Sequence, residues 1–209
     1  MKTISKTALL ICTLIFGIQT INAQLSANSN TKNLLEDGGV TNNGIWRQRC
    51  GKNPETGATP DSCCSIDPTI GKTDKGSILL VGNGSREWRS MQNAKVIQVE
   101  QGKKYHISAW VKTENISKKS RVYFEFVVKT KNENGKPGDY LPKEFQPKLN
   151  DLPVDNVKGT HDWLLIECTY TIPENGEYLV SIHARYDPVI DDSKSSKVWF
   201  DDLMITKIQ

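Results

Sequence analysis

The chain has 209 residues, with 27 Lys or Arg against 24 Asp or Glu and 37% apolar side chains. A formal net charge of +3 is far from the basic excess of a nucleic-acid binder or of a protein drawn to anionic membranes. Beyond the N-terminus no stretch approaches the ~20 consecutive apolar residues of a membrane-spanning helix, which argues against membrane insertion.

Lys2 and Lys6 precede an apolar run, Ala8 to Ile18, and then Ile21-Asn22-Ala23. This is the layout of a signal peptide over residues 1–23, with cleavage before Gln24. It predicts a secreted or periplasmic protein. Cys12 lacks the small preceding residue of a lipoprotein box, since Ile11 stands there. The remaining 186 residues (209 − 23) carry 25 basic side chains (27 − 2) and suit one domain.

Residues 24–32 are small and polar and read as a flexible leader, so the domain proper is placed at 33–209. Asn33 to Glu36 is expected to be a short strand ending in the turn Asp37-Gly38-Gly39, and Gly44 to Trp46 a brief extended piece. Arg47 to Thr73 is rich in Gly, Pro, Asp and Cys and shows no periodicity. It is expected to be one long loop. Cys50, Cys63, Cys64 and Cys168 are the cysteines left after cleavage, and an even count in an exported chain argues for disulfides. A bridge between the neighbours Cys63 and Cys64 is disfavoured. Cys50 is expected to pair with one of them, and Cys168 either takes the other or stays a buried thiol. The spacings contain no C-x-x-C pair that would favour zinc.

From Gly76 onward short strands alternate with turns. Ser77–Val81, Trp88–Val99, Tyr105–Lys112 and Arg121–Val128 precede a second long loop, Lys129 to Thr160. Trp163–Ile172, Glu177–Tyr186 and Lys197–Ile208 follow. No helical stripe is present. Eight to nine strands bounded by Gly, Pro and Asn predict an all-β, antiparallel β-sandwich.

Strand phase sorts the side chains into core and non-core sets. Val122, Phe124, Phe126 and Val128 form one apolar set, and Val180, Ile182, Ala184 and Tyr186 another. The opposite faces carry Tyr123, Glu125, Glu167, His183 and Arg185, long hydrogen-bonding side chains suited to a polyol. Trp88 follows the turn Gly82 to Glu87 between Arg86 and Arg89, so it is the leading candidate for stacking on a sugar ring. Trp46, beside the cysteine loop, is the second. In the last strand Asp202 shares the phase of Val198 and Phe200, which aims a carboxylate at the core. That is costly unless the group is paired or bound to a cation.

Several motifs in order resemble carbohydrate-binding modules of families four, nine and twenty-two. They are Asn33-Leu-Leu-Glu36, Gly44-Ile-Trp46, Gly76 to Gly82, Tyr105 to Lys112, Gly159 to Trp163, Thr171-Ile-Pro173 and Val198 to Ile205. The resemblance spans nearly the whole predicted mature chain. It implies a galactose-binding-like jelly-roll that binds polysaccharide on a concave sheet or its rim and does no chemistry. It also implies a structural calcium joining the first and last strands. Glu36, Asp201 or Asp202, and backbone carbonyls near Lys75 match the positions that would hold it. Such modules often accompany a catalytic domain, so other secreted glycan-degrading proteins are candidate partners. The long loops 47–73 and 129–160 depart from the pattern.

Two other readings use the same residues. A polysaccharide lyase could employ His183, Tyr123 and Arg185 in proton transfer and charge neutralisation, and a glycosidase could pair Glu125 with Glu167. A protein-binding adhesion module could present the same sandwich and loops.

Overall fold

A computed structural model describes residues 32–41, 44–52, 63–82, 84, 86–141, 158–189, 192 and 195–208. The expected signal peptide, nearly all of the leader and much of the two long loops lie outside these residues.

Eleven strands and no helices make up the described residues. β1 (Trp46–Cys50), β4 (Arg89–Asn93), β10 (Tyr178–Asp187), β7 (Arg121–Lys131) and β8 (Pro137–Tyr140) are neighbours in that order in the first sheet. β5 (Ile97–Val99) joins the same edge of β10 that β4 occupies further along. The second sheet runs β2 (Cys64–Asp67), β3 (Ser77–Val81), β11 (Lys197–Lys207), β6 (Lys104–Ile116) and β9 (Gly159–Thr171). Every pairing is antiparallel. The sheets form a β-sandwich of jelly-roll type.

The core follows from alternation. Phe124, Phe126 and Val128 of β7 and Val180, Ile182 and Ala184 of β10 face Ile107, Ala109 and Val111 of β6 and Val198, Phe200 and Ile205 of β11 across one continuous cluster. Burying each large apolar side chain contributes about 1.5–3 kcal/mol, and together they fix which face of each strand looks inward.

The strands expected from the pattern are present, but four segments differ. Asn33 to Glu36 is a turn, not a strand. The segment 47–73 contains β1 and β2, and 129–160 contains β8. These are edge or near-edge strands, with burial on one side only, so no apolar periodicity marks them. Trp88–Val99 is two strands, broken at Ala94–Val96.

A fifth difference is in β11. Asp201 pairs with Trp110 and Met204 with Ser108, so three steps on β11 match two on β6. The extra residue is a β-bulge centred on Asp202, whose φ of 47° lies in the left-handed region that Asp tolerates better than most residues. The bulge resets the phase. Val198 and Phe200 point inward before it, Leu203 and Ile205 after it. Asp202 therefore does not enter the core. Of the acidic pair it is Asp201 that is wholly buried, at 0% exposure, on the outer face of the sheet.

The turn at 33–40 braces this bulge. The Asn33 side-chain amide donates to the Leu203 carbonyl (3.0 Å) and its oxygen accepts from the Ile205 N–H (3.0 Å). Leu34 N–H donates to the Ile205 carbonyl and Leu203 N–H to the Gly38 carbonyl. A Cβ on Gly38 would stand 2.0 Å from the Leu203 carbonyl oxygen, so only glycine permits the approach. Asn33→Ala leaves two backbone groups of β11 without partners. It is expected to destabilise the domain by about 2–6 kcal/mol, at 1–3 kcal/mol per unsatisfied group, read as a lower urea midpoint with an unchanged slope.

Candidate functional site

The outward face of the first sheet gathers most of the polar residues singled out in the sequence. Directly paired residues project to the same side. One row across β1, β4, β10 and β7 is Arg49, Ser90, Arg185 and Tyr123; the next is Arg47, Gln92, His183 and Glu125. Further along, Lys129 of β7 is opposite Tyr140 of β8.

Arg185 is the hub. Its Nε lies 2.9 Å from Asp187 Oδ1 and its Nη1 3.6 Å from Glu125 Oε2. Its guanidinium stands 4.9 Å from the centre of the Trp88 ring and 5.4 Å from that of Tyr123. Tyr123 donates its hydroxyl to Asp187 Oδ2 at 2.8 Å. Burial works against the charge on Arg185, but the Asp187 hydrogen bond and the neighbouring acids more than offset it and hold its pKa up. Burial pushes the Glu125 carboxyl up, against the pull of Arg185. The Tyr123 hydroxyl is raised by burial and by Asp187. His183 is pushed down to about 4 by burial first, then by the charges of Arg185, Lys129 and Arg49; Ser90 Oγ lies 3.4 Å from its Nδ1.

Trp88 is 37% exposed. Its carbonyl accepts from the Gly51 N–H at 2.8 Å, and a Cβ on Gly51 would come within 2.9 Å of the indole ring, so the ring packs on bare backbone at the end of β1. Glycine at 51 therefore helps set the ring's orientation. Tyr123, by contrast, is only 5% exposed. It positions Asp187 and Arg185 rather than offering a free ring.

Two of the sequence candidates fall elsewhere. Trp46 is 4% exposed on the core side of β1, with its indole N–H donating to the Asp37 carbonyl. It has no face free for stacking, because the alternation of β1 turns Arg47 and Arg49 outward instead. Glu167 lies on β9 in the other sheet, where it pairs with His106 Nε2 at 2.9 Å. It cannot act with Glu125. Tyr140, 67% exposed with the Lys129 ammonium 4.2 Å from its ring centre, had been hidden in a stretch read as loop. Its only sequence signal is an aromatic two residues before Pro142 in a polar segment.

Cys50 and Cys63 form a disulfide, and Cys64 and Cys168 are thiols. Cys64 donates to the Ser90 carbonyl and is pushed by burial up to about 12. The sulfurs of Cys50, Cys63 and Cys64 are the only three His, Cys, Asp or Glu ligand atoms within 4.8 Å of one another among the described residues. Two of them are consumed by the disulfide, and the third is a poor thiolate.

The acidic pair in β11 sits under the loop 68–76. Asp201 accepts from the Lys72 N–H (2.5 Å) and the Asp202 N–H (2.7 Å), and Asp202 accepts from the Thr73 hydroxyl. Burial raises the Asp201 carboxyl to about 6, and the charges of Asp202 and Asp74 add to the rise. The turn at 39–40 closes on the same place, with Gly76 against the Val40 carbonyl and Gly39 near the Asp74 carboxylate. Oxygen donors of this kind are what a hard divalent cation takes, although the Asp201, Asp202 and Asp74 carboxylates do not gather as three within 4.8 Å of one another. Glu36 does not join it. Its side chain is 53% exposed and lies 3.7 Å from Lys95 Nζ. Lys75 is exposed and could contribute only its main chain.

The family model described as Carbohydrate binding domain matches residues 57–188. Among curated proteins none matches this chain. Among solved structures, it is similar to the enzymatically active domain of the bacteriophage CBA120 tailspike protein 4, at 11% identity and a TM-score of 0.50, covering 84% of this chain. The chain spans only 21% of that tailspike domain. It also resembles TmCBM61, solved with β-1,4-galactotriose (11% identity, TM-score 0.48, 85% of this chain and 100% of that one). A third is the CBM22-1 xylan-binding domain of Paenibacillus barcinonensis Xyn10C (12% identity, TM-score 0.45, 88% and 99%).

The low pKa of His183 sets a pH dependence. The folded chain keeps this imidazole neutral down to about 4, whereas an unfolded chain protonates it near 6.5. Between those values the unfolded state binds more protons, so stability falls as the pH drops. Urea unfolding at pH 7 and pH 4.5 is expected to show a loss of up to about 3 kcal/mol from this group. In His183→Gln that part of the pH slope disappears.

Proposed function

The chain belongs to the carbohydrate-binding domain family, and we propose that it binds a polysaccharide chain on the outward face of the β1-β4-β10-β7-β8 sheet without cleaving it. The observation that carries this reading is the half-open ring of Trp88 beside Arg185, Glu125 and Asp187. A sugar ring presents C–H groups on its faces, which suit an aromatic ring, and hydroxyls on its edge, which suit charged donors and acceptors. Arg185, fixed by Asp187 and by Tyr123 beneath it, offers donors whose geometry is set before the ligand arrives. That lowers the entropic cost of binding. The amino-terminal charge and apolar pattern support export of the domain, and its glycan would then meet it outside the cytoplasm, where other secreted glycan-degrading proteins act.

Calcium at the loop 68–76 is part of this reading. Asp201, Asp202 and Asp74, with carbonyls of the 39–40 turn, are the residues that would hold it, and the ion would cancel the cost of the desolvated Asp201. It would tie the amino-terminal turn to β11 and leave the glycan face untouched.

Affinity gel electrophoresis against a panel of soluble polysaccharides, with assays for reducing ends and for unsaturated products, tests the binding reading. Retardation without product is expected. Trp88→Ala should weaken it by roughly tenfold or more, the equivalent of about 1.4 kcal/mol, whereas Trp46→Ala should lower the melting temperature instead. Release of product that is lost in His183→Ala would replace binding by catalysis. For the metal, calcium should raise the melting temperature and a chelator lower it, with neither acting on Asp201→Asn. A wild-type melting temperature indifferent to both sinks the calcium assignment.

A further inference from the structure

We propose that the polysaccharide recognised by this face is acidic, carrying carboxylate or sulfate groups, and that two aromatic–cation pairs read it. This rests on the binding reading above and narrows its ligand. Trp88 with Arg185, at one end of the face, has the guanidinium 4.9 Å from the ring centre. Tyr140 with Lys129, at the other, has the ammonium 4.2 Å from its ring centre. These are the two exposed large aromatics among the described residues. In each pair a cation stands over one face of a partly open ring, so apolar ring surface and positive charge are presented together to a sugar and its acidic substituent.

Charge on the face points the same way. Arg47, Arg49, Arg121, Lys129 and Arg185 project outward, against Glu125 and Asp187, an excess of +3 (5 − 2). The whole chain carries +3 (27 − 24). Two of those cations, Lys2 and Lys6, belong to the expected signal peptide, so the mature chain carries +1 (25 − 24), and the face alone holds a larger excess with the remainder at −2 (1 − 3). Both acids are already committed to Arg185, so the cations around them are not neutralised by the sheet itself. The Arg49 side chain donates to a neutral partner, Gln92, at 3.2 Å. Burial is the main cause of the depressed pKa of His183, and the charges of Arg185, Lys129 and Arg49, from three strands, add to it in the middle of the face.

Charges on an edge strand have another use. Arg47 and Arg49 on β1 also discourage edge-to-edge pairing. That role does not explain Lys129 on β7, an inner strand, nor the placing of a cation over each exposed ring. From the Tyr123 row to the Lys129 row is six residues along β7, about 20 Å at 3.4 Å per residue. A face of that length suits an extended chain rather than one sugar. Arg meets a carboxylate or a sulfate through two parallel N–H donors, so both substituents match.

Retardation is measured on de-esterified polygalacturonate and alginate for carboxylate, ι-carrageenan and chondroitin sulfate for sulfate, and methyl-esterified pectin, xylan and β-1,4-galactan as neutral chains. Acidic chains of at least one class are expected to bind at least tenfold more tightly than neutral ones at 50 mM salt, with the advantage shrinking towards 500 mM. Retardation by the carboxylate chains alone, or the sulfated chains alone, assigns the substituent. The double variant Arg49→Gln, Lys129→Gln should lose tenfold or more of the acidic binding and keep its melting temperature. If esterified and de-esterified pectin bind alike and salt has no effect, the acidic assignment is wrong while polysaccharide binding stands. If no chain of either kind is retarded, the binding reading itself fails.

Discussion

Strand β10 is paired along its whole length with β7, residue for residue from Tyr178 to Asp187. On its other edge lie β4 and β5. Its inward residues, Val180, Ile182, Ala184 and Tyr186, are all fully buried. That burial is the constraint on which the site depends. Because side chains alternate strictly along a strand, locking four apolar groups into the core forces His183, Arg185 and Asp187 onto the opposite face. A slip of one residue would bury an arginine and expose an isoleucine, and no set of surface contacts could offset that.

The second sheet solves a different problem. β11 lies between β3 and β6 and must bury apolar residues on both sides of an acidic pair. With Val198 and Phe200 inward, strict alternation would turn Asp202 inward and Leu203 and Ile205 outward. One inserted residue avoids both. The bulge leaves main-chain groups that a regular ladder would have paired, and Asn33 and the 34–38 turn supply their partners. The first and last parts of the domain are therefore joined by hydrogen bonds. This is why the Asn33 segment, though apolar enough to read as a strand, is a turn: its side chain and backbone are committed to β11.

Charge in this protein is a matter of place rather than amount. Averaged over the chain, Lys and Arg nearly balance Asp and Glu. On the outward face of the first sheet they do not, since β1 presents Arg47 and Arg49, β7 presents Arg121 and Lys129, and β10 presents Arg185, against Glu125 and Asp187. Two exposed aromatics sit within reach of two of these cations. Composition cannot report such a pattern, because it sums over faces that never meet the same ligand.

The sequence by itself determined the long inner strands. The alternation in 77–81, 105–112, 121–128, 163–172 and 177–186 is driven by burial on one face, and burial leaves a period of two in the residues. From the same period it placed Tyr123, Glu125, His183 and Arg185 on one non-core side, and turn chemistry picked out Trp88 as exposed. Tertiary structure alone decided the rest. β1, β2 and β8 pair at or near sheet edges, where half the burial is missing and no period is written. Which sheet a strand joins depends on pairing between distant segments, so Glu167, right in phase, lies on the wrong sheet to meet Glu125. Trp46 is buried because Asp37, nine residues earlier, folds back to take its N–H. The bulge at Asp202 shifts one residue of phase through a left-handed backbone angle, and that choice is set by the core on both sides of it rather than by the acidic pair itself.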